Sequence, residues 1–358
     1  MSRFFSAERR GLTPYTPGEQ PRGETLIKLN TNEAPYPPPQ SVIDAAADAA
    51  RATRLYSDPE GIDLRRALGE YHGISSKNIS LKNISLGNGS DETLAFAFAA
   101  FGGQGSAFAF PDITYGFYPV FASLFNIPYT EIPTDAALAI RTEDYISIGK
   151  NIVLANPNAP TGIVLPLSDI ESIAASNPDH VVIIDEAYAD FWGETAIPLT
   201  ARYENLLVVR TYSKSRFLAG ARLGYAVGNA ELIRDLETVR YSFNPYNINS
   251  MTLAAGAAAL GESKYYKTRW DEIIAARGQT QAALTALGFD ITPSQANFVF
   301  ARRDGVSGET LQKMLRERGV LVRTLGRERI RDRLRITVGT PQQMKQLIDA
   351  MADALKNL

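Results

Sequence analysis

The sequence contains no cysteine and only two histidines. Without cysteine there is no disulfide, no thiolate nucleophile and no cysteine-ligated zinc or iron–sulfur site. The two histidines, His72 and His180, cannot form an HExxH motif, and they argue against histidine-based metal sites and Ser–His–Asp triads. His180 precedes the apolar run VVIID, a strand entry, and His72 lies in EYHGISS, a helix end. Both are read as structural, and no metal is expected. No apolar run approaches the roughly 18 residues of a membrane span. The start, MSRFFSAERRGL, has no apolar centre of a secretory signal. Blocks of like charge are also missing, and the formal net charge is −2. That argues against a nucleic-acid or anionic-membrane partner and leaves room for a local basic pocket. The expectation is a soluble, cytoplasmic protein. If it is an enzyme, acid–base work falls on Lys, Tyr, Asp, Glu or a bound cofactor.

What is present is ordinary globular composition: 358 residues, 45% hydrophobic and 21% charged. The length suits a large domain with a smaller one. The first 40 residues, rich in Pro, Gly and Asn, read as an irregular arm. Helical patterns (SVIDAAADAARA, GIDLRRALGEYHG, DETLAFAFAAF, YGFYPVFASLF, LSDIESIAAS) then alternate with short β-rich runs (NISLG, SAFAF, NIVLANP, VVIIDEAY, NLLVVRTYS, RLGYAVG). This rhythm predicts an α/β fold with a mostly parallel sheet buried on both faces. From about residue 250 long helical stretches are followed by strands at ANFVFARR, VLVRTLG and LRITVGT and by helices at GETLQKMLRERG and PQQMKQLIDAMADALKNL, which predicts a second, α+β domain. No internal repeat is visible.

Five motifs carry candidate chemistry. SLGNGSDETL runs from a strand through Gly87 and Gly89 into a helix at Ser90, the local form of a phosphate loop. Taken alone, it also fits a plain strand–turn–helix with Ser90 as N-cap. Asp185 ends the apolar run VVIID, at the strand edge where α/β sheets gather ligands, unless it is a solvated loop carboxylate. Lys214 sits on a Thr/Ser-rich turn after a strand, with Arg222 eight residues on. It is either a solvated lysine or a half-buried one whose lowered pKa suits a nucleophile or base. ANPNAPTG, at 155–162, is a well-made turn, and Arg335 on LRITVGT can clamp a carboxylate or phosphate.

Taken in order, with LTPYTPG, KLNTNEAPY, YSDP and DITYGFY, these motifs resemble the fold-type I pyridoxal-phosphate aminotransferases, and within them the histidinol-phosphate aminotransferases. The resemblance covers nearly the whole chain. It implies a large cofactor-binding domain over about 31–260, with its mostly parallel sheet flanked by helices. It implies a smaller α+β domain made of the arm, 1–30, and residues 261–358. Lys214 would form the Schiff base with pyridoxal 5′-phosphate, Asp185 would pair with the pyridinium nitrogen, and Tyr188 would bond the ring's phenolic oxygen. Tyr115 would stack on the ring. Gly89, Ser90 and Asp91, with Ser213 and Arg222, would hold the phosphate, and Tyr56 would reach the phosphate in the neighbouring subunit of a homodimer. Arg335 would bind the carboxylate of glutamate and 2-oxoglutarate, while Tyr15, Asn32 and Arg323 would line the other substrate's pocket.

Two departures bear on these roles. The family's NNPTG turn reads NAPTG here, so Ala159 stands where an asparagine contacts the ring, and either Asn158 substitutes for it or Tyr188 serves alone. The family's YPDP reads YSDP, with Ser57. The implied reaction is L-histidinol phosphate plus 2-oxoglutarate giving imidazole-acetol phosphate plus glutamate. The alternatives are an aromatic amino-acid aminotransferase or a threonine-phosphate decarboxylase on the same fold. A non-catalytic sensor module has no DNA-binding segment here to serve, and a nicotinamide-linked dehydrogenase lacks its GxGxxG.

Overall fold

Short runs of apolar residues, buried on both faces, build the centre of the structure, a computed structural model that describes residues 2–21, 25–74 and 81–356. The chain begins with β1 (Ile27–Lys28), α1 (Gln40–Ala50) and α2 (Ile62–Tyr71). It continues through β2 (Ile84–Gly87), α3 (Ser90–Phe101), β3 (Phe108–Pro111), α4 (Tyr118–Leu124), β4 (Tyr129–Ile132), β5 (Asn151–Ala155) and α5 (Leu167–Ser176). Then come β6 (Val182–Asp185), β7 (Leu206–Thr211), β8 (Gly224–Gly228), α6 (Ala230–Phe243), α7 (Ser250–Gly261) and α8 (Ser263–Ala286). The last part holds β9 (Asp290–Ile291), β10 (Phe298–Arg302), α9 (Gly308–Glu317), β11 (Val320–Leu321), β12 (Arg333–Thr337) and α10 (Pro341–Leu355).

Seven strands pair in the order β2-β8-β7-β6-β5-β3-β4. Only β8 runs against its neighbours. The two-residue period of a strand divides the core. Val182, Ile184, Leu206 and Val208 join one cluster with Leu64, Ile170 and Ile273, and Ile183, Leu207 and Val209 join another with Leu94, Phe98 and Phe121. Helices therefore cover both faces, as expected for near-continuous apolar strands. The parallel strands β5 and β6 end side by side at Ala155 and Asp185, and β7 runs two residues further to Thr211, at the edge that forms ligand sites in such sheets.

β12, β10 and β9 form an antiparallel sheet, and β1 lies parallel to β11, so the N-terminal arm packs on the C-terminal part. The expected strand at VLVRTLG is shorter than its pattern. Its strand ends at Leu321 because β1 offers only two partner residues, and a single bridge joins Arg323 to Arg335. Among the described residues, no helix is long and apolar enough to cross a membrane.

Candidate active site

A cavity of about 310 Å³ opens at the ends of β6 and β7, and Asp185, Tyr188, Ser213 and Lys214 line it. Asp185 closes β6 on the face that packs against α4. Its Oδ2 accepts a hydrogen bond from Tyr118 Oη at 2.9 Å, and its Oδ1, fully enclosed, has no partner. Burial pushes this carboxyl up to about 7, against the opposing pull of the Tyr118 hydroxyl. Lys214 follows the turn after β7 and donates from Nζ to the Thr31 carbonyl at 3.2 Å. Burial, with the Arg335 charge nearby, lowers its ammonium to about 8. Neither Asp185 nor Lys214 belongs to an ion pair among the described residues.

Tyr188 packs edge-on against Phe298, with ring centroids 5.2 Å apart, and its Oη accepts from Asn32 Nδ2 at 2.9 Å. The Tyr188 proton is thus left free to be donated elsewhere. Asn32 is held in turn by Thr337 Oγ1, which donates to Asn32 Oδ1 and accepts from Asn32 N. Asn32 therefore braces Tyr188 and does not itself line the cavity.

The phosphate-loop motif forms a cradle at the start of α3. Gly89 is the N-cap residue, with φ of 84° and no side-chain cap, so Ser90 is the first helical residue and not the N-cap. A Cβ on Gly89 would meet Arg222 Nη2 at 2.5 Å, and one on Gly224 would meet Ser90 N at 2.4 Å. Only glycine lets the backbones approach this closely. Arg222 reaches Asp91 Oδ2 at 3.0 Å and Ser213 Oγ at 3.4 Å, and Tyr115 Oη donates to Asp91 Oδ1 at 2.7 Å. Ser90, Asp91, Tyr115 and Arg222 all line the cavity beside Lys214.

A second cavity, about 120 Å³, shares Tyr115 and Ala159 with the first and is walled by Tyr15 and Arg335. Tyr15 stacks on Phe117 at 4.3 Å. Arg335 is a cation without an anion: Nη2 donates to the Asn30 carbonyl at 3.1 Å, Nε is enclosed without a partner, and no ion pair to it occurs among the described residues. Burial holds its guanidinium below the usual range.

Besides Asn32 and Gly89, three expected site residues do not line the cavities. Asn158 gives its amide to the Ile113 carbonyl and Thr161 Oγ1 and accepts from Thr114 Oγ1, so it braces the turn and does not substitute for the missing asparagine. Arg323 donates to the carbonyls of Thr16 and Pro17, at 2.7 and 3.0 Å. It ties down the arm that carries Tyr15 instead of lining the pocket. Tyr56 is 83% exposed and stacks on Tyr246 at 4.5 Å, away from its own chain's cavity. Three contributors escaped the motif reading. Tyr118 stands in DITYGFY, and Thr31 and Glu33, in KLNTNE, line the cavity. The sequence signal was their motifs, but not which side chain turns inward.

The family model "Aminotransferase class I and II" matches residues 24–351. A histidinol-phosphate aminotransferase of Bradyrhizobium diazoefficiens is 46% identical over 99% of this chain and 100% of its own. The chain belongs to the class I and II aminotransferase family. Its fold is the fold-type I α/β architecture. The crystal structure of histidinol-phosphate aminotransferase from Sinorhizobium meliloti, in complex with pyridoxal-5′-phosphate, superposes with a TM-score of 0.85 at 23% identity, covering 93% of this chain and 92% of that one. An L-threonine-O-3-phosphate decarboxylase from Porphyromonas gingivalis superposes with a TM-score of 0.80 at 21% identity, over 92% of this chain and 100% of its own. Backbone likeness at that level carries the fold and does not separate the two reactions.

Proposed function

We propose that this aminotransferase binds pyridoxal 5′-phosphate in the larger cavity and transfers the amino group of L-histidinol phosphate to 2-oxoglutarate, giving imidazole-acetol phosphate and glutamate. The observation that carries the reading is that a half-buried lysine and a buried carboxylate with one unpartnered oxygen face the same cavity without pairing with each other. The residues fit the cofactor. Asp185 Oδ1 awaits a cationic donor such as a pyridinium N–H, the glycine-lined cradle at Ser90 suits a phosphate, and Lys214 Nζ suits an aldehyde. Bound there, pyridoxal phosphate supplies an electron sink for the charge left when a Cα proton departs.

The chain supplies the rest. Lys214 would hold the cofactor through Nζ, and the same amine, freed when the substrate's amino group takes its place, would take the Cα proton; in the unloaded protein its pKa is lowered to about 8. Asp185 keeps a negative charge against the ring, which offsets the cost of its own burial. Tyr188, already accepting from Asn32, directs its hydroxyl proton to the ring oxygen, and Tyr115 covers the ring. Arg222, Ser213 and the first turn of α3 hold the phosphate. Arg335 meets the substrate anion, which its unpaired buried charge favours strongly. Tyr15 packs the flat substrate ring.

A homodimer goes with this reading. Tyr56 lines neither cavity of its own chain and stacks on the exposed Tyr246, and the exposed Ile43 and Met251 line a groove that borders Arg222. In the dimer Tyr56 would reach the partner's phosphate cradle. The division into 31–260 and the arm with 261–358 is proposed on the pairing of β1 with β11, and a cytoplasmic location on the reaction. The Tyr15–Phe117 stack also suits an aromatic amino acid, so the aromatic aminotransferase reading stays as the second. The test is a half-reaction screen of the pyridoxal-phosphate-loaded protein against histidinol phosphate, phenylalanine, tyrosine and threonine phosphate. The proposal expects the fastest loss of the cofactor's absorbance with histidinol phosphate. A clear preference for phenylalanine would move the protein to the second reading.

A further inference from the structure

Behind the cavity lies a buried charge network that the proposed chemistry does not use. The side chains of Asp185 and Glu186 alternate across the sheet, so with Asp185 facing the cavity Glu186 faces the opposite side. Glu186 is 1% exposed and accepts from Thr195 Oγ1 at 2.6 Å, Ala196 N at 2.5 Å and Arg210 Nη1 at 3.1 Å. Arg210, near the end of β7 and 5% exposed, spans from Glu186 to Asp190, donating from Nη2 to Asp190 Oδ1 at 2.5 Å. Asp190 Oδ2 accepts the hydroxyl of Ser215. Ser215 directly follows Lys214, and its carbonyl accepts from Trp270 Nε1 of α8 at 2.7 Å. The Arg216 guanidinium next to it lies among the rings of Tyr71, Tyr266 and Trp270, 4.6 to 5.1 Å from their centroids.

The network therefore starts one residue after Asp185 and ends one residue after Lys214. Both ends are backbone neighbours of the two groups that the cavity brings together. Four buried charges are costly to assemble, and a well-packed apolar set would stabilise the fold as well. What an apolar set cannot do is fix a serine hydroxyl, and with it the backbone at Lys214, in one direction.

We propose that Asp190, acting through Ser215 and Arg210, is a positioning residue that sets where the Lys214 amine stands relative to Asp185. The inference rests on the reading of Lys214 and Asp185 as the reacting lysine and the ring-nitrogen carboxylate. The Asp190–Ser215 bond holds the lysine's backbone from behind the sheet, and the Arg210 bridge locks that bond to the end of β6. The titratable and charged groups that face Lys214 from the cavity side are Arg335, Asp91, Glu33 and Arg222, with Asp185 and Tyr188 in the same cavity. On the far side stand Asp190, Arg210, Glu186 and Arg216.

The test compares Ser215→Ala with Ser215→Thr, which restores the hydroxyl, and with Asp190→Asn. Two readouts are taken on each variant that remains folded by thermal unfolding. One is the pH midpoint of Lys214 reactivity in cofactor-free protein, from competitive acetylation and peptide mass spectrometry. The other is the split between kcat and KM in the loaded enzyme. A displaced amine should cost about ten- to a hundredfold in kcat with little change in KM. The Lys214 midpoint should move by about half a pH unit or more in Ser215→Ala and Asp190→Asn. Ser215→Thr should recover most of both. An unchanged midpoint together with unchanged kcat in folded Ser215→Ala would overturn the proposal, as would a loss that Ser215→Thr fails to restore. Lys214→Ala serves as the control. If it keeps activity, the lysine reading itself fails; if it is inactive while Ser215→Ala is normal, only the positioning role fails.

Discussion

The Tyr118 hydroxyl donates to Asp185 Oδ2 at 2.9 Å, on the side of the carboxylate away from its unpartnered oxygen. One oxygen is thereby held and the other left for the ring. Tyr118→Phe keeps the packing on Phe98 and Phe110 and removes only the donor. A hydrogen bond to a buried charge contributes about 1.5–3 kcal/mol, so kcat/KM should fall roughly ten- to a hundredfold with the fold intact. Full activity in steady-state kinetics would show that Asp185 needs no such partner.

Gly89→Ala is expected to empty the phosphate cradle. Gly89 has φ of 84° and ψ of 163°, a conformation nearly reserved for glycine, and the new Cβ would displace Arg222. The strain alone costs about 1–3 kcal/mol. The variant should lose pyridoxal phosphate on dialysis while the wild-type protein retains it. Equal retention would place the phosphate elsewhere.

Arg323→Ala should free the arm. The two carbonyl bonds that hold Thr16 and Pro17 disappear, and Tyr15 loses its fixed place over the second cavity. Chymotryptic cleavage at Tyr15 should become faster by limited proteolysis followed by mass spectrometry. A cleavage rate like that of the wild type would mean that the Tyr15–Phe117 stack holds the arm without Arg323.

His72 bears on stability alone. It is hydrogen-bonded to Tyr225 Oη at 2.8 Å, and burial, helped by the Arg210 charge, lowers its pKa from 6.5 to about 3. The folded protein keeps it neutral while the unfolded chain takes up a proton as the pH falls. Its contribution is therefore complete above about pH 6.5 and is lost as the pH falls towards 3. Urea unfolding at pH 7.5 and pH 5 should show a larger loss for the wild-type protein than for His72→Gln. The same pH dependence in both would assign the acid sensitivity to other groups.

Much of this was legible in the sequence where one local pattern decides the outcome. LSDIESIAAS forms α5 over Leu167–Ser176, bounded by Pro166, and the apolar runs of β5, β6 and β7 are buried throughout. Strands that depend on a partner were not legible. β4 is an edge strand with exposed Tyr129 and Thr130, and β1 and β9 have two residues each. Helix α6 has no clear apolar period in the sequence although Asn229 caps it, because its apolar positions are mixed with charges that pair within the fold, such as Arg240 with Glu237. At the site, Lys214 and Asp185 could be read because strand ends point to the ligand edge. Arg323 could not, since its acceptors lie about 300 residues earlier in the chain. Asn158 stands one residue from the expected position, and in a tight turn one residue changes which way the amide faces.

The most direct measurement is product identification by mass spectrometry, with carbon dioxide trapped, after parallel incubations of the loaded protein and 2-oxoglutarate with L-histidinol phosphate or with threonine phosphate. The account predicts imidazole-acetol phosphate and glutamate in equal amounts, and no carbon dioxide when threonine phosphate is supplied instead. Release of carbon dioxide from threonine phosphate, or the absence of glutamate with histidinol phosphate, would contradict it.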